Sequence, residues 1–148
     1  EYTETGVPMN ANVTPELLLQ IFYPNTPLHD GAVIIVDNRV RAASCVLPLS
    51  ASGVLNRSPD RTMGLRHRAA LGISEVSDAI SIVVSEETGS ISIAHNGKLI
   101  RRLNMERLRN TLHAFFQPTE FPSGKNLFSR LFSLFSPQKA EDNKGDEQ

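Results

Sequence analysis

Three short stretches hold the side chains with chemistry to offer. The first is "PLHDGAVIIV" (27–36), in which His29 and Asp30 precede Gly31 and an apolar run that begins at Ala32. A carboxylate at the mouth of a strand is held firmly yet faces a cleft, which suits a proton acceptor or a metal ligand. A glycine behind it lets a ligand approach the backbone closely. His29 adds a ring nitrogen for a divalent metal or a hydrogen bond. The other open reading is that Asp30 merely closes a turn after Pro27, where aspartate is common.

The second stretch is "MGLRHRAALGISE" (63–75), with Arg66, His67 and Arg68 at an expected helix start. Free N–H groups and the positive end of the dipole attract anions there. Cationic side chains on that turn disfavour the helix unless a polyanion sits among them. Arginine's planar fork matches phosphate oxygens, and Gly64 permits a tight approach. The competing reading is two solvated arginines near an acid such as Glu75.

The third is "SEETG" (85–89), where adjacent acids are commonly just a solvated turn. If the flanking strands converge with Asp30, Glu87 joins it as a metal ligand or charge partner. Hard divalent cations take such oxygen ligands and complete their shell with substrate phosphates. His95 and His113 read as a hairpin residue and a helix-surface residue. No zinc-type Cys/His spacing, Walker loop or GxGxxG is present, so any phosphate binding uses another device.

These stretches need a scaffold, and 148 residues are enough for one domain with a hydrophobic core. Apolar content of 40% and charged content of 21% are those of a soluble globular chain. A formal net charge of −1 offers no broad basic field, so no nucleic-acid partner is expected. The single cysteine, Cys45, lies in a strand-like run and reads as a buried, reduced thiol. No apolar run approaches the ~18 residues of a membrane span, and no signal peptide is visible. The chain opens on Glu1, which suggests a piece excised or processed from a longer one.

The elements follow from local signals. Residues 1–13 show no period. Thr14, Pro15 and Glu16 begin a helix that runs to Pro24. Residues 32–36 read as a strand buried on both faces, Asp37-Asn38 as a turn, and 39–47 as a second strand. Residues 48–61 read as a loop. A helix is expected over 66–76, with Ala69, Ile73 and Val76 on its apolar face. Strands at 79–84 and 90–95 follow, and Asn96-Gly97 signals a hairpin into "KLIRRL". Asn104 then caps a helix to about Phe116, with Met105, Leu108, Leu112 and the Phe115/Phe116 pair on its apolar side. The sum is a single α/β domain over 1–117, a mixed central β-sheet flanked by helices. A linker with the short amphipathic stretch "NLFSRLFSLF" (118–136) and a polar tail (137–148) complete the chain.

Taken together, "HDGAVII", "GLRHRAALGISE" and "VVSEETGSISIAHNGKL" resemble the catalytic domain of bacterial diadenylate cyclases, in particular the membrane-anchored CdaA type. The likeness runs from about Glu4 to Leu103, with the DGA and RHR signatures in the family's order. It implies condensation of two ATP into cyclic di-AMP and two pyrophosphates, with Mg²⁺ or Mn²⁺, across a face-to-face homodimer. By the same resemblance Asp30 helps activate the ribose 3′-hydroxyl, and Gly31 and Ala32 line the nucleotide. His29 and Glu87 serve the metal, while Arg66, His67, Arg68 and Ser85 serve the phosphates. Leu47 falls where the family's backbone reads adenine.

Leu65 stands where the family usually carries a phosphate-bonding threonine, so an altered contact is expected there. Family domains also begin earlier, with a helix and a strand preceded by transmembrane helices, which implies the cytoplasmic face of the membrane. A membrane-tethered regulator and phosphoglucosamine mutase are the partners implied. Two other functions fit the residues: a nucleotide-binding sensor without turnover, and a metal-dependent phosphohydrolase built on His29-Asp30.

Overall fold

A computed structural model describes residues 1–51 and 63–116 of the chain. Thr14 caps the first helix, α1 (Pro15–Ile21): the Leu17 N–H donates to Thr14 Oγ1 at 3.2 Å, and Pro15 occupies the first turn. The helix ends one turn earlier than the sequence suggests, and tight turns then lead to the strand that follows Asp30.

The first sheet holds β1 (Val7–Asn12), β2 (Ala32–Val36) and β3 (Arg39–Cys45), in the order β1-β3-β2 with both pairs antiparallel. The turn between β2 and β3 has positive φ at both Asp37 (51°) and Asn38 (58°), as a tight hairpin requires. β3 is the central strand, so Val40, Ala42, Ala43 and Cys45 are buried. Ile21, Val40 and Ala43 form a core with Met9, Val13, Leu17, Leu28 and Val33 packed around it. Burying Ile21 and Val40 contributes about 1.5–3 kcal/mol each before conformational entropy is counted.

Two expectations change here. β2 is an edge strand, not one covered on both faces, and it leaves Ile35 and Val36 exposed. Its unbroken apolar run resembles that of a central strand, but the covered position goes to β3. Residues 1–13, which show no period, contain a 3-10 turn (Tyr2–Thr5) and β1. The register of β1 shifts between Pro8 and Ala11, and Asn10 has positive φ, so alternation is broken within the strand. Arg39 closes that irregularity: its Nε donates to Asn10 Oδ1 at 2.9 Å and its Nη1 to Asn12 Oδ1 at 2.8 Å.

The second sheet holds β4 (Ser81–Val84), β5 (Ile91–His95) and β6 (Lys98–Leu103), in that order. The helix α2 (Leu65–Val76) packs on it, with Ala70 against Val83, Ala94 and Leu99. Its buried set is His67, Ala70, Leu71, Gly72, Ile73 and Ser74, whereas Val76 is exposed. The apolar face is therefore rotated from the one expected. Gly72 is the contact point: a Cβ there would strike the Pro48 carbonyl and the Ser50 amide. The Asn96-Gly97 hairpin, with φ of 49° and 68°, is tied to this helix by the Gly97 N–H, which donates to Ser74 Oγ at 3.2 Å.

The α/β class thus stands, with the strands laid out as two three-stranded sheets. The chain divides into two units, Glu1–Arg101 and Arg102–Gln148. In the second, helix α3 (Met105–Phe116) is capped by Asn104, whose Oδ1 accepts the Arg107 N–H at 2.8 Å. Leu108, Leu112 and Phe115 are half-buried, while Met105 and Phe116 at its ends are exposed. Most of the expected 48–61 loop, and the linker, Phe-rich stretch and tail over 118–148, lie outside the described residues.

Candidate active site

Three elements of the first unit meet at one point. Asp30 stands just before β2, Arg66 lies in the first turn of α2, and Glu86 lies in the turn between β4 and β5. The Arg66 Nη2 is 3.8 Å from Asp30 Oδ1, and its Nη1 pairs with Glu86. One guanidinium therefore bridges two carboxylates. The Asp30 side chain is 87% exposed and that of Glu86 70%, so the site is open to solvent. Exposed pairs of this kind hold weakly, about 0–1 kcal/mol each. An anion with several charged oxygens can compete for such an arginine.

The backbone around Asp30 is held more firmly. Gly31 has φ 101°, and a Cβ on it would come within 2.7 Å of the Ser44 carbonyl carbon and 2.9 Å of the Cys45 oxygen. The close approach of β2 to β3 thus requires a glycine here. Ala32 continues the strand opposite Cys45. His29 is half-buried, and its Nδ1 lies 2.6 Å from the Thr26 carbonyl oxygen. That contact makes Nδ1 the donor and leaves the Nε2 lone pair for another partner.

The three residues of the RHR signature go to three different places. Arg66 reaches Asp30. His67 turns inward and is buried, with Nε2 3.4 Å from Ser92 Oγ on β5. Burial, with the positive charge of Arg101 adding to it, pushes the His67 pKa below the usual histidine value. A neutral His67 therefore sits under the helix start as a support, and does not face the Asp30 carboxylate. Arg68 turns toward the 48–50 segment, its Nε and Nη2 each 3.4 Å from the Ser50 carbonyl oxygen. The Ser50 N–H in turn donates to the Arg68 carbonyl at 3.0 Å. Glu75 accepts from Ser50 Oγ at 2.6 Å.

Gly64 caps α2 without a side-chain hydrogen bond, and among the described residues nothing beyond its own chain neighbours lies within 4 Å of where its Cβ would be. Among the described residues no side-chain cap closes off the first N–H groups of the helix. Leu65, beside them, is 68% exposed and offers no hydroxyl. The β4–β5 turn is braced by Ser85, whose Oγ accepts the Thr88 N–H at 3.3 Å and whose carbonyl accepts the Gly89 N–H at 2.8 Å. The Ser85 O–H remains able to donate. Glu87 is exposed on this turn, whereas its neighbour Glu86 is the residue paired with Arg66. Nothing in two consecutive glutamates tells which one turns toward Arg66. Leu47 is half-buried just beyond β3, and Cys45 is a buried free thiol whose pKa is raised by burial.

The family model described as DisA bacterial checkpoint controller nucleotide-binding matches residues 1–99. The chain belongs to this family. The family relative named cyclic di-AMP synthase CdaA, from Bacillus subtilis, is 52% identical over 126 residues, covering 85% of this chain and 45% of the relative. A diadenylate cyclase of Listeria monocytogenes is 54% identical over 112 residues, 76% of this chain and 40% of that protein. The chain therefore spans less than half the length of these curated relatives. The crystal structure of a double mutant of DacA from Staphylococcus aureus superposes with a TM-score of 0.72 at 47% identity, covering 78% of this chain and 75% of that one.

Proposed function

We propose that this chain is the catalytic part of a diadenylate cyclase, joining two ATP molecules into cyclic di-AMP with release of two pyrophosphates. The observation that carries the reading is the 3.8 Å approach of Arg66 to Asp30, which unites the two signature segments in one open site. In each half-reaction a ribose 3′-oxygen attacks the other nucleotide's α-phosphorus. A P–O bond forms there and the bond to pyrophosphate breaks, while the hydroxyl proton passes to Asp30. Such in-line transfer needs positioning and charge stabilisation more than covalent help. Arg66 and the open N–H groups of α2 bind phosphate oxygens, with the Ser85 hydroxyl as a further donor. Arg68 and the neutral His67 fix the helix that presents them. Gly31, Ala32 and Leu47 line the nucleotide, and Leu65 replaces a hydroxyl contact with an apolar one.

Among the described residues no group of three or more His, Cys, Asp or Glu converges as a complete metal site. A partial set fits a Mg²⁺ or Mn²⁺ ion that arrives with the triphosphate, because such ions keep one or two protein ligands and take the rest from phosphates and water. His29, through its free Nε2, and Glu87 would hold it, and it would supply charge neutralisation on the phosphates. The exposure of Asp30 fits a site closed by a second copy of the chain, face to face. The full-length protein is proposed to work at the cytoplasmic face of the membrane. A membrane-tethered regulator and phosphoglucosamine mutase are its proposed partners, on the ground of the resemblance. No helix among the described residues is long and apolar enough to cross a membrane.

The sensor reading has one observation in its favour, the exposed Leu65 at the phosphate-facing turn. Incubation with ATP and Mn²⁺, with products resolved by chromatography, separates the readings. Cyclic di-AMP from the wild type and none from Asp30→Asn is the expected result. Bound ATP without product would favour the sensor, and released inorganic phosphate would favour a phosphohydrolase.

A further inference from the structure

Asp30 is followed by the most pliant residue in the chain's alphabet, and in a positive-φ conformation (Gly31, φ 101°). Left alone, the peptide joining Asp30 to Gly31 could rotate and take the carboxylate away from Arg66. Across the hairpin, Ser44 meets that peptide: its Oγ–H donates to the Asp30 carbonyl oxygen at 2.6 Å. Ser44 itself is unusual, a non-glycine residue at φ 54° inside β3. The β2–β3 register slips at the same place. Ala32 faces Cys45 and Ile34 faces Ala42, so two steps along β2 match three along β3. The bulge at Ser44 also brings its backbone against Gly31, where a Cβ would lie 2.9 Å from Ser44 Cα.

We infer that Ser44 is a positioning residue for the reaction: its left-handed backbone and its hydroxyl clamp the Asp30–Gly31 peptide and so aim the Asp30 carboxylate. This rests on the diadenylate cyclase reading of the site. Bulges recur beside active sites because they re-aim a side chain without loosening the sheet. A serine at this bulge does two jobs that glycine and threonine each do only in part. Glycine accepts the φ but has no hydroxyl, whereas threonine keeps the hydroxyl but strains at positive φ.

That split supplies the test. Ser44→Gly should keep or raise Tm, lower kcat by about five- to tenfold, the equivalent of roughly one hydrogen bond, and leave the KM for ATP within about twofold. Ser44→Thr should lower Tm yet keep kcat close to the wild-type value. A residue that merely supports the fold would make kcat follow Tm through both variants, and that result would overturn the proposal. Amide hydrogen exchange gives a second reading, since exchange over 30–32 should quicken in Ser44→Gly while the centre of β3 stays protected. If the wild type makes no cyclic di-AMP, the functional reading fails, and exchange alone decides the clamp: quicker exchange confined to 30–32 supports it, and unchanged exchange refutes it.

Discussion

The two sides of the site are built by different means. On the β2 side, Asp30 is set by backbone: a hairpin with two left-handed residues, a bulge at Ser44, and a glycine pressed against β3. On the α2 side, Arg66 is set by charge, held between two exposed carboxylates at the start of a helix without a side-chain cap. Backbone packing gives a single arrangement, and distorting it is costly. Exposed ion pairs exchange partners readily, since water and salt compete with each of them. The difference suits the proposed chemistry, in which the proton acceptor stays fixed and the phosphate-binding arm is free to leave its resting partners.

The comparison can be broken from either side. Gly31→Ala should have the largest effect, because its Cβ meets β3 backbone and its φ is unfavourable for alanine. A loss of roughly 2–4 kcal/mol in urea unfolding is expected. A loss under ~0.5 kcal/mol would show that the strand entrance yields as easily as the charged side. Glu86→Gln should do far less to the fold, with Tm unchanged within a degree or so. It should lower the KM for ATP by about two- to fivefold, by freeing Arg66 from a competing carboxylate worth ~0.2–1 kcal/mol. A rise in KM would mean that Glu86 orients Arg66 for the substrate rather than competing for it.

Much of this frame was legible in the sequence, for identifiable reasons. Thr14-Pro15, Asp37-Asn38, Asn96-Gly97 and Asn104 each encode a local backbone conformation, and each produces its cap or turn. The residues themselves marked the Asp30 and Arg66 segments only as separate candidates, and their union in one site was implied by the family resemblance. Features set by tertiary context were not legible. The apolar run of β2 could not say that it would be an edge strand, and the bulged β1 hid its alternation. His67 shares a motif with two arginines, but helical geometry sends it inward to Ser92. The Gly31 signal was seen, although its structural cause lies in β3. The pairing of Arg66 with Glu86 rather than Glu87 depends on where the β4–β5 turn falls.

The central claim is a division of labour, with Arg66 binding the triphosphate and Asp30 acting only on the hydroxyl that attacks. Calorimetric titration with ATP and Mg²⁺, run on the wild type, Arg66→Ala and Asp30→Asn, tests it most directly. Arg66→Ala should weaken binding about tenfold or more, a charge-assisted contact being worth roughly 1.5–3 kcal/mol. Asp30→Asn should bind within about threefold of the wild type while yielding no cyclic di-AMP. Wild-type affinity in Arg66→Ala, or continued synthesis by Asp30→Asn, would contradict the account.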